Sequence, residues 1–180
     1  MHFGWQDEVM AMLANKSNQP LENDANTGRV EATLARLSRE DSKLCESLLN
    51  AAVAGAVVAR QPADTILRAE AAEAWNSIKP VIVHHLTSQQ DILLPWAESR
   101  ENFPPDLILR AREQRVRLCD LAKTVDAASF ITGSDEEVIR AGTALTAFAV
   151  CLDDVIDGEE RDLFPMIQRS LFEESSGPGA

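Results

Sequence analysis

Apolar side chains recur at alternating steps of three and four residues along four long segments of the chain. Because an α-helix completes a turn every 3.6 residues or so, about the same spacing, these side chains fall on one helical face. The segments are residues 29–58, 63–98, 105–126 and 134–172. Turn signals separate them, including the pair Pro104-Pro105 and the capping-box spacing of Ser134 and Glu137. The sequence therefore predicts an all-α protein, an up-down-up-down four-helix bundle.

The regions outside these four segments are shorter and more polar. Residues 5–14 have the pattern of a short amphipathic helix, and mostly polar residues follow it up to Gly28. We therefore expect an N-terminal extension of a short helix and a loop at 1–28, the bundle at 29–172 and a disordered tail at 173–180.

Polar side chains interrupt each of the four apolar faces. They are Asp41 on the first helix, His85 and Gln89 on the second, Gln114 on the third and Glu159 on the fourth. Such groups cost free energy in a core unless they are paired or liganded. Polar residues that converge inside a helical bundle are typical of a buried metal or cofactor site. Asp41, His85 and Glu159 are therefore candidate metal ligands.

A buried histidine can also be an ordinary hydrogen-bonded core residue. In that case a neighbouring carboxylate would satisfy His85, and either Asp41 or Glu159 could serve. Glu159 lies one turn beyond Val155 on an apolar face, so its carboxyl group must be paired, liganded or protonated. His84 lies about 100° around the helix from His85, and we expect it at a flank or in solvent.

Charge and composition exclude several classes of partner. The net charge of −12 argues against nucleic acid, whose binding depends on cations that displace counterions. The densest basic run is expected to solvate the outer face of the third helix: Arg110, Arg112, Arg115 and Arg117. No apolar run reaches the length of a membrane span, and the three cysteines have neither a metal-like nor a disulfide-like spacing. We expect a cytoplasmic protein with no membrane partner.

The second and fourth helices contain a weak internal repeat. Residues 85–95, HLTSQQDILLP, align with residues 155–165, VIDGEERDLFP, at an offset of 70 positions. Upstream, Arg39-Glu40-Asp41 is echoed by Arg112-Glu113-Gln114. The sequence therefore predicts two helical hairpins of common design.

These repeated stretches resemble the hemerythrin-like (HHE) domain family over about residues 29–170. The resemblance implies a four-helix bundle that holds two bridged iron ions. The family's six ligand positions correspond here to Asp41, His85, Gln89, Gln114, Val155 and Glu159. Only His85 and Glu159 keep the residue types that the family uses at these positions. The resemblance therefore implies the fold, whereas we do not expect a full diiron centre or reversible oxygen binding.

Two functional hypotheses follow. The first is a non-enzymatic binding or regulatory module whose iron site has decayed, with a small ligand in a core pocket lined by Gln89, Gln114 and Val155. The second is a metal-binding protein for sensing or redox, in which His85, Glu159 and Asp41 hold one iron, zinc or manganese ion. The sequence contains neither a nucleophile with a recognisable base nor a phosphate-binding loop, so it gives no indication of an enzyme. The sequence leaves open whether the chain forms a homo-oligomer.

Overall fold

The computed structural model describes residues 23–125 and 127–176, and every regular element within these ranges is helical. The elements are α1 (Asn23–Arg60), α2 (Thr65–Ser88), the π-helical turn π1 (Gln89–Leu93), α3 (Leu94–Glu98), α4 (Pro105–Thr124), α5 (Ala127–Thr132), α6 (Asp135–Gly158), the π-helical turn π2 (Glu159–Leu163) and α7 (Phe164–Ser176). The all-α prediction is confirmed.

The ends of the predicted helices need correction. α1 begins at Asn23, six residues before the predicted start and inside the predicted extension. Gly28 does not stop the helix, because a glycine inside a helix costs only about 1 kcal/mol relative to alanine. α7 continues to Ser176, beyond the predicted start of a disordered tail at 173. The predicted helix at 5–14 lies outside the described residues.

The signals that start helices act as the sequence predicts. The Ser134 hydroxyl and the Glu137 carboxylate form a reciprocal capping box at the start of α6. At the start of α2, the Asp64 carboxylate accepts hydrogen bonds from the backbone N–H groups of Ile66 and Leu67. Both caps satisfy donors that would otherwise lack a partner in the first helical turn.

The two π-helical turns occur at equivalent positions of the internal repeat. Gln89–Leu93 and Glu159–Leu163 are separated by the same 70 positions as the repeated sequences. Each turn connects its flanking α-helices without a break, so α2, π1 and α3 form one long helix, and α6, π2 and α7 form another. π-Helix accounts for less than about 1% of residues in globular proteins. Two such turns are therefore not expected to occur by chance at matched positions of a repeat. The repeat is thus present in the backbone as well as in the sequence.

α1 and α6 run antiparallel and approach each other closely. The Thr146 hydroxyl donates to the carbonyl oxygen of Ala52, 3.2 Å away. One turn along, a methyl group on Gly55 would lie 2.6 Å from the carbonyl oxygen of Gly142, and one on Gly142 would lie 2.7 Å from that of Gly55. These two glycines therefore allow a backbone contact that a larger residue would block.

α1 is bent next to a polar core residue. Its two halves, Thr27–Asp41 and Lys43–Arg60, are inclined by 44°. In the described ranges no single helix is long and apolar enough to cross a membrane. The two halves of α1 reach that length and apolar content only when they are counted together across the bend. The bend follows Asp41 directly, so this carboxylate lies where α1 changes direction.

The buried apolar residues form two clusters along the helices. The larger contains Leu48, Trp75, Phe130, Phe148 and Leu152, together with their neighbours on α1, α2, α4, α5 and α6. The smaller lies towards the other end of the long helices and contains Val30, Leu37, Leu93, Trp96, Phe103, Leu163 and Ile167. A set of buried polar residues lies between the two clusters.

The third helix presents a different face from the one predicted. Gln114 is only half-buried, whereas its neighbour Arg115 is 5% exposed and packs beside buried Leu118, Cys119 and Ala122. α4 therefore turns its buried face towards Arg115 and away from Gln114. The expectation that Arg115 solvates an outer face is wrong, while Arg110, Arg112 and Arg117 are exposed as predicted.

Candidate functional site: a polar layer in the core

Four buried side chains form a layer between the two apolar clusters. We define the polar layer as Asp41 of α1, His85 of α2, Gln89 of π1 and Glu159 of π2, each at most 5% exposed. On α1, Asp41 separates Leu37 of the smaller cluster from Leu44 of the larger one. The two π-turn residues hold the same place on their own helices. The layer thus divides the core across its helices.

His85 is the centre of the polar layer. Its Nδ1 atom lies 3.4 Å from Oδ1 of Asp41, and its Nε2 atom lies 3.2 Å from Oε2 of Glu159. The two ring nitrogens point in different directions, so the imidazole lies between the two carboxylates. Side chains from two elements that are distant in sequence, α1 and π2, therefore approach the ring carried by α2. Asp41, His85 and Glu159, predicted from their apolar faces, do converge.

Gln89 is the fourth member of the layer and competes with Glu159 for one nitrogen. Its amide nitrogen lies 2.8 Å from Nε2 of His85. In a neutral ring with its proton on Nδ1, Nε2 accepts the amide N–H of Gln89. In the protonated ring, Nε2 donates to Glu159 instead, and the amide of Gln89 must turn away. Protonation of His85 thus exchanges the partner of this nitrogen.

The charge state of His85 reflects two opposing effects. Burial lowers the pKa of His85, because it disfavours a charged ring. The hydrogen bond to Glu159 and the charges of Glu159 and Asp41 more than offset this effect, so the pKa of His85 lies above its ordinary value. The protonated ring, paired with Glu159, is therefore the favoured state at mildly acidic pH.

Asp41 is the least satisfied residue of the layer. Its side chain is fully buried, and neither carboxylate oxygen has a hydrogen-bond partner among the described residues. Burial raises the pKa of Asp41 to about 7, although the charge of His85 lowers it in part. A protonated Asp41 leaves the His85–Glu159 pair electrically neutral in the core. An ionised Asp41 adds a buried negative charge that nothing else in the layer neutralises.

The layer does not have the geometry of a single metal site. A metal ion bound to one ring nitrogen of His85 lies on one side of the ring, so it cannot also contact the carboxylate on the other side. Across residues 23–125 and 127–176, no group of three or more His, Cys, Asp or Glu side chains is arranged to hold a metal ion. The carboxylate of Asp41 and Nδ1 of His85 lie 3.4 Å apart, and neither has a hydrogen-bond partner among the described residues, so these two groups are the feature that suits a cation. The arrangement as a whole does not fit an ion held jointly by His85, Glu159 and Asp41.

The three pocket residues predicted from the sequence have different environments. Val155 is 3% exposed and packs in the larger apolar cluster, next to the layer. Gln89 fills space against His85, where the sequence predicted a ligand pocket. Gln114 is half-buried, and Arg115 takes the inward position. Nη1 of Arg115 donates to the carbonyl oxygen of Leu86, 2.6 Å away, so α4 contacts α2 beside the layer through a residue that the sequence analysis assigned to solvent.

A second interhelical contact outside the layer was not predicted either. The guanidinium group of Arg36 on α1 contacts Nε2 of exposed His84 on α2 and donates to the hydroxyl of Ser88, 2.8 Å away. A groove of about 440 Å³ lies between the same two helices. Its lining is apolar at Leu44 and Ile78 and polar at its rim, where Glu40, Lys43 and His84 lie. The sequence signal for this contact was the adjacent pair His84-His85, one member facing outward and one inward.

Comparison of the chain with models of protein families, with curated proteins and with solved structures found no match.

Proposed function

We propose that this chain is a four-helix-bundle protein of the hemerythrin-like type whose metal positions have become a structural polar layer, and that it acts as a non-enzymatic binding or regulatory module. The observation that carries the proposal is the position of the His85 ring between Asp41 and Glu159. Both ring nitrogens face protein carboxylates: Nε2 pairs with Glu159, and Nδ1 lies 3.4 Å from Oδ1 of Asp41 without forming a hydrogen bond among the described residues. A buried polar layer of this kind can fix the register of packed helices without any cofactor.

The paired π-helical turns support the family part of the proposal. They begin at Gln89 and Glu159, which are the two positions where the family resemblance places carboxylate ligands. One of these residues is now a neutral amide and the other pairs with His85. A repeated backbone that has lost the repeated ligands is what a decayed two-metal site would leave.

The groove between α1 and α2 is the binding surface that we assign to the module. Its volume lies within the range of about 300–1,000 Å³ that is common for small-molecule sites, and its lining combines an apolar floor with a few polar groups. Glu40 and His84 at its rim are the sequence neighbours of Asp41 and His85. A largely apolar small molecule in this groove would therefore contact the helices that hold the polar layer.

Metal analysis tests the proposal against its alternative, a rebuilt site for one iron, zinc or manganese ion. The untagged chain, produced in medium with all three metals, should contain far less than one metal ion per chain. Nearly two irons per chain would overturn the decayed-site proposal. One tightly held ion that is lost in the His85→Ala variant and kept in His84→Ala would favour the alternative. The alternative rests on the unpartnered carboxylate of Asp41 and the unpartnered Nδ1 of His85.

A further inference from the structure

Two uncharged stretches of the sequence lie side by side in the folded chain. Residues 47–59 of α1 and residues 141–152 of α6 contain no Asp, Glu, Lys or Arg. The antiparallel contacts of Ala52 with Thr146 and of Gly55 with Gly142 place the two stretches at the same level. The protein has a net charge of −12, yet these two adjoining stretches carry no charged side chain of their own.

Large apolar side chains are exposed on this surface. Leu49 is 65% exposed, Val53 55%, Ile139 43% and Val150 53%. A shallow groove of about 600 Å³, lined by Ile139 and Val150 but not by Leu49 or Val53, lies between α1 and α6. We define the α1–α6 face as Leu49, Val53, Ala56, Ile139, Ala147 and Val150. Single exposed apolar residues are ordinary, but a contiguous group on neighbouring helices marks an interaction site.

The spacing along each helix suits a helical partner. Leu49, Val53 and Ala56 follow one another at steps of four and three on α1. Ile139, Ala147 and Val150 share one side of α6, with Thr143 between the first two. Apolar residues at such steps form the ridges and grooves through which helices pack. The face therefore has the pattern of a helix-packing surface, and no helix within residues 23–125 and 127–176 covers it.

Opposite charges border the two ends of the face. Exposed Arg60 and Arg140 lie at one end, where α1 ends and α6 begins. Exposed Glu46 and Asp154 lie at the other end. Arg60 and Asp154 both line the groove, together with Arg117 of α4, which like Asp154 lies near Cys151. A two-fold axis that lies in the plane of the face and crosses the two helices at mid-length would bring the positive end of one copy onto the negative end of another.

We propose that the α1–α6 face is the interface of a homodimer, in which two copies pack face to face around a two-fold axis and Arg60 of each copy lies opposite Asp154 of the other. An interface of this symmetry uses the same patch on both subunits, so the patch must complement itself in shape and charge. The oppositely charged ends of the α1–α6 face meet the charge part of this condition, and its apolar centre would be buried between the two copies. The inference does not depend on the polar layer or on the proposed function.

Sedimentation of the full chain over a concentration series tests the interface. The native chain should reach twice the mass of one chain as its concentration rises. Val53→Glu and Val150→Glu should each raise the dissociation constant about tenfold or more, because each buries a charge at the centre of the interface. Leu109→Glu is the matched control, since Leu109 is 57% exposed on α4, away from the face. Circular dichroism checks that all variants fold.

A charge exchange tests the symmetry. Arg60→Asp and Asp154→Arg should each weaken the dimer, and the double variant should recover most of the native dissociation constant. A monomer at every concentration would overturn the proposal. A dimer insensitive to Val53→Glu and Val150→Glu would place the interface elsewhere and would also overturn it. If the dimer of the double variant had a higher dissociation constant than the dimers of both single variants, the two-fold arrangement would be overturned.

Discussion

The two halves of the internal repeat have the same backbone and different chemistry. Both contain a π-helical turn at the same repeat position, beginning at Gln89 in one half and at Glu159 in the other. One turn earlier, His85 in the first half corresponds to Val155 in the second. All four side chains are buried. The first half thus supplies a ring and an amide, while the second supplies a carboxylate and an apolar surface.

Because of this difference, the two halves of the repeat contribute different side chains to the polar layer. Two equivalent halves would place two imidazoles and two identical π-turn side chains in the same core volume. Here a single ring occupies the centre, and the carboxylate from the opposite half pairs with it at 3.2 Å. The two halves are therefore complementary, and each needs the other to satisfy its buried polar group.

Removing the ring should have the largest effect on this complementarity. His85→Ala should lower the free energy of unfolding by about 3–5 kcal/mol, because it leaves a cavity and an uncompensated buried carboxylate at Glu159. Val155→Ala, at the equivalent repeat position, should cost about 2 kcal/mol, because only apolar packing is lost. Urea unfolding measures both values. Equal costs would show that Glu159 does not depend on His85.

Making the halves alike at this position should also destabilise the protein. Val155→His should cost about 2–3 kcal/mol, because a second imidazole overfills the core and places a polar ring among the apolar neighbours of Val155. Val155→Leu controls for size and should cost less than about 1.5 kcal/mol. Thermal unfolding compares the two variants. If Val155→His were as stable as Val155→Leu, position 155 would still accept the histidine that the other half carries at position 85.

The smallest expected effect depends on pH and concerns Asp41, whose counterpart in the upstream repeat is the neutral Gln114. Burial raises the pKa of Asp41 from 3.8 to about 7, so the folded protein keeps a proton that the unfolded chain has already released. This contribution to stability is fully present below pH 3.8 and is lost as the pH rises to about 7. Asp41→Asn preserves the neutral form, so at about pH 8 it should be more stable than the native chain by about 1–2 kcal/mol.

Unfolding of the two proteins in urea from acid to mildly basic pH measures this difference. The advantage of Asp41→Asn should grow with pH up to about 7 and then stay constant. His85→Gln provides a matched control, because it removes the other group of the layer whose pKa is raised. A variant less stable than the native chain at about pH 8 would mean that a cation holds Asp41 in its ionised form, as the metal-binding alternative requires.

Local chemistry made much of this fold predictable from the sequence. The steps of three and four residues fix the four long helices, and the capping box of Ser134 and Glu137 fixes the start of α6. Asp41, His85 and Glu159 could be placed together because each interrupts a strongly apolar face, and burial of that face carries the polar group into the core. The repeat offset predicted two equivalent hairpins, and the matched π-helical turns agree with it.

Only the tertiary structure decided the details on which the chemistry depends. α4 has polar residues around most of its circumference, so a partial rotation that places Arg115 inside and Gln114 at the edge leaves its sequence pattern almost unchanged. Likewise, the sequence could bring Asp41, His85 and Glu159 to one level without showing which ring nitrogen faces which carboxylate. Those contacts depend on shifts of a few tenths of an ångström between helices from distant parts of the chain. Helix periodicity encodes the face that a residue occupies, whereas the packing of all the helices together sets the distances between its atoms and their partners.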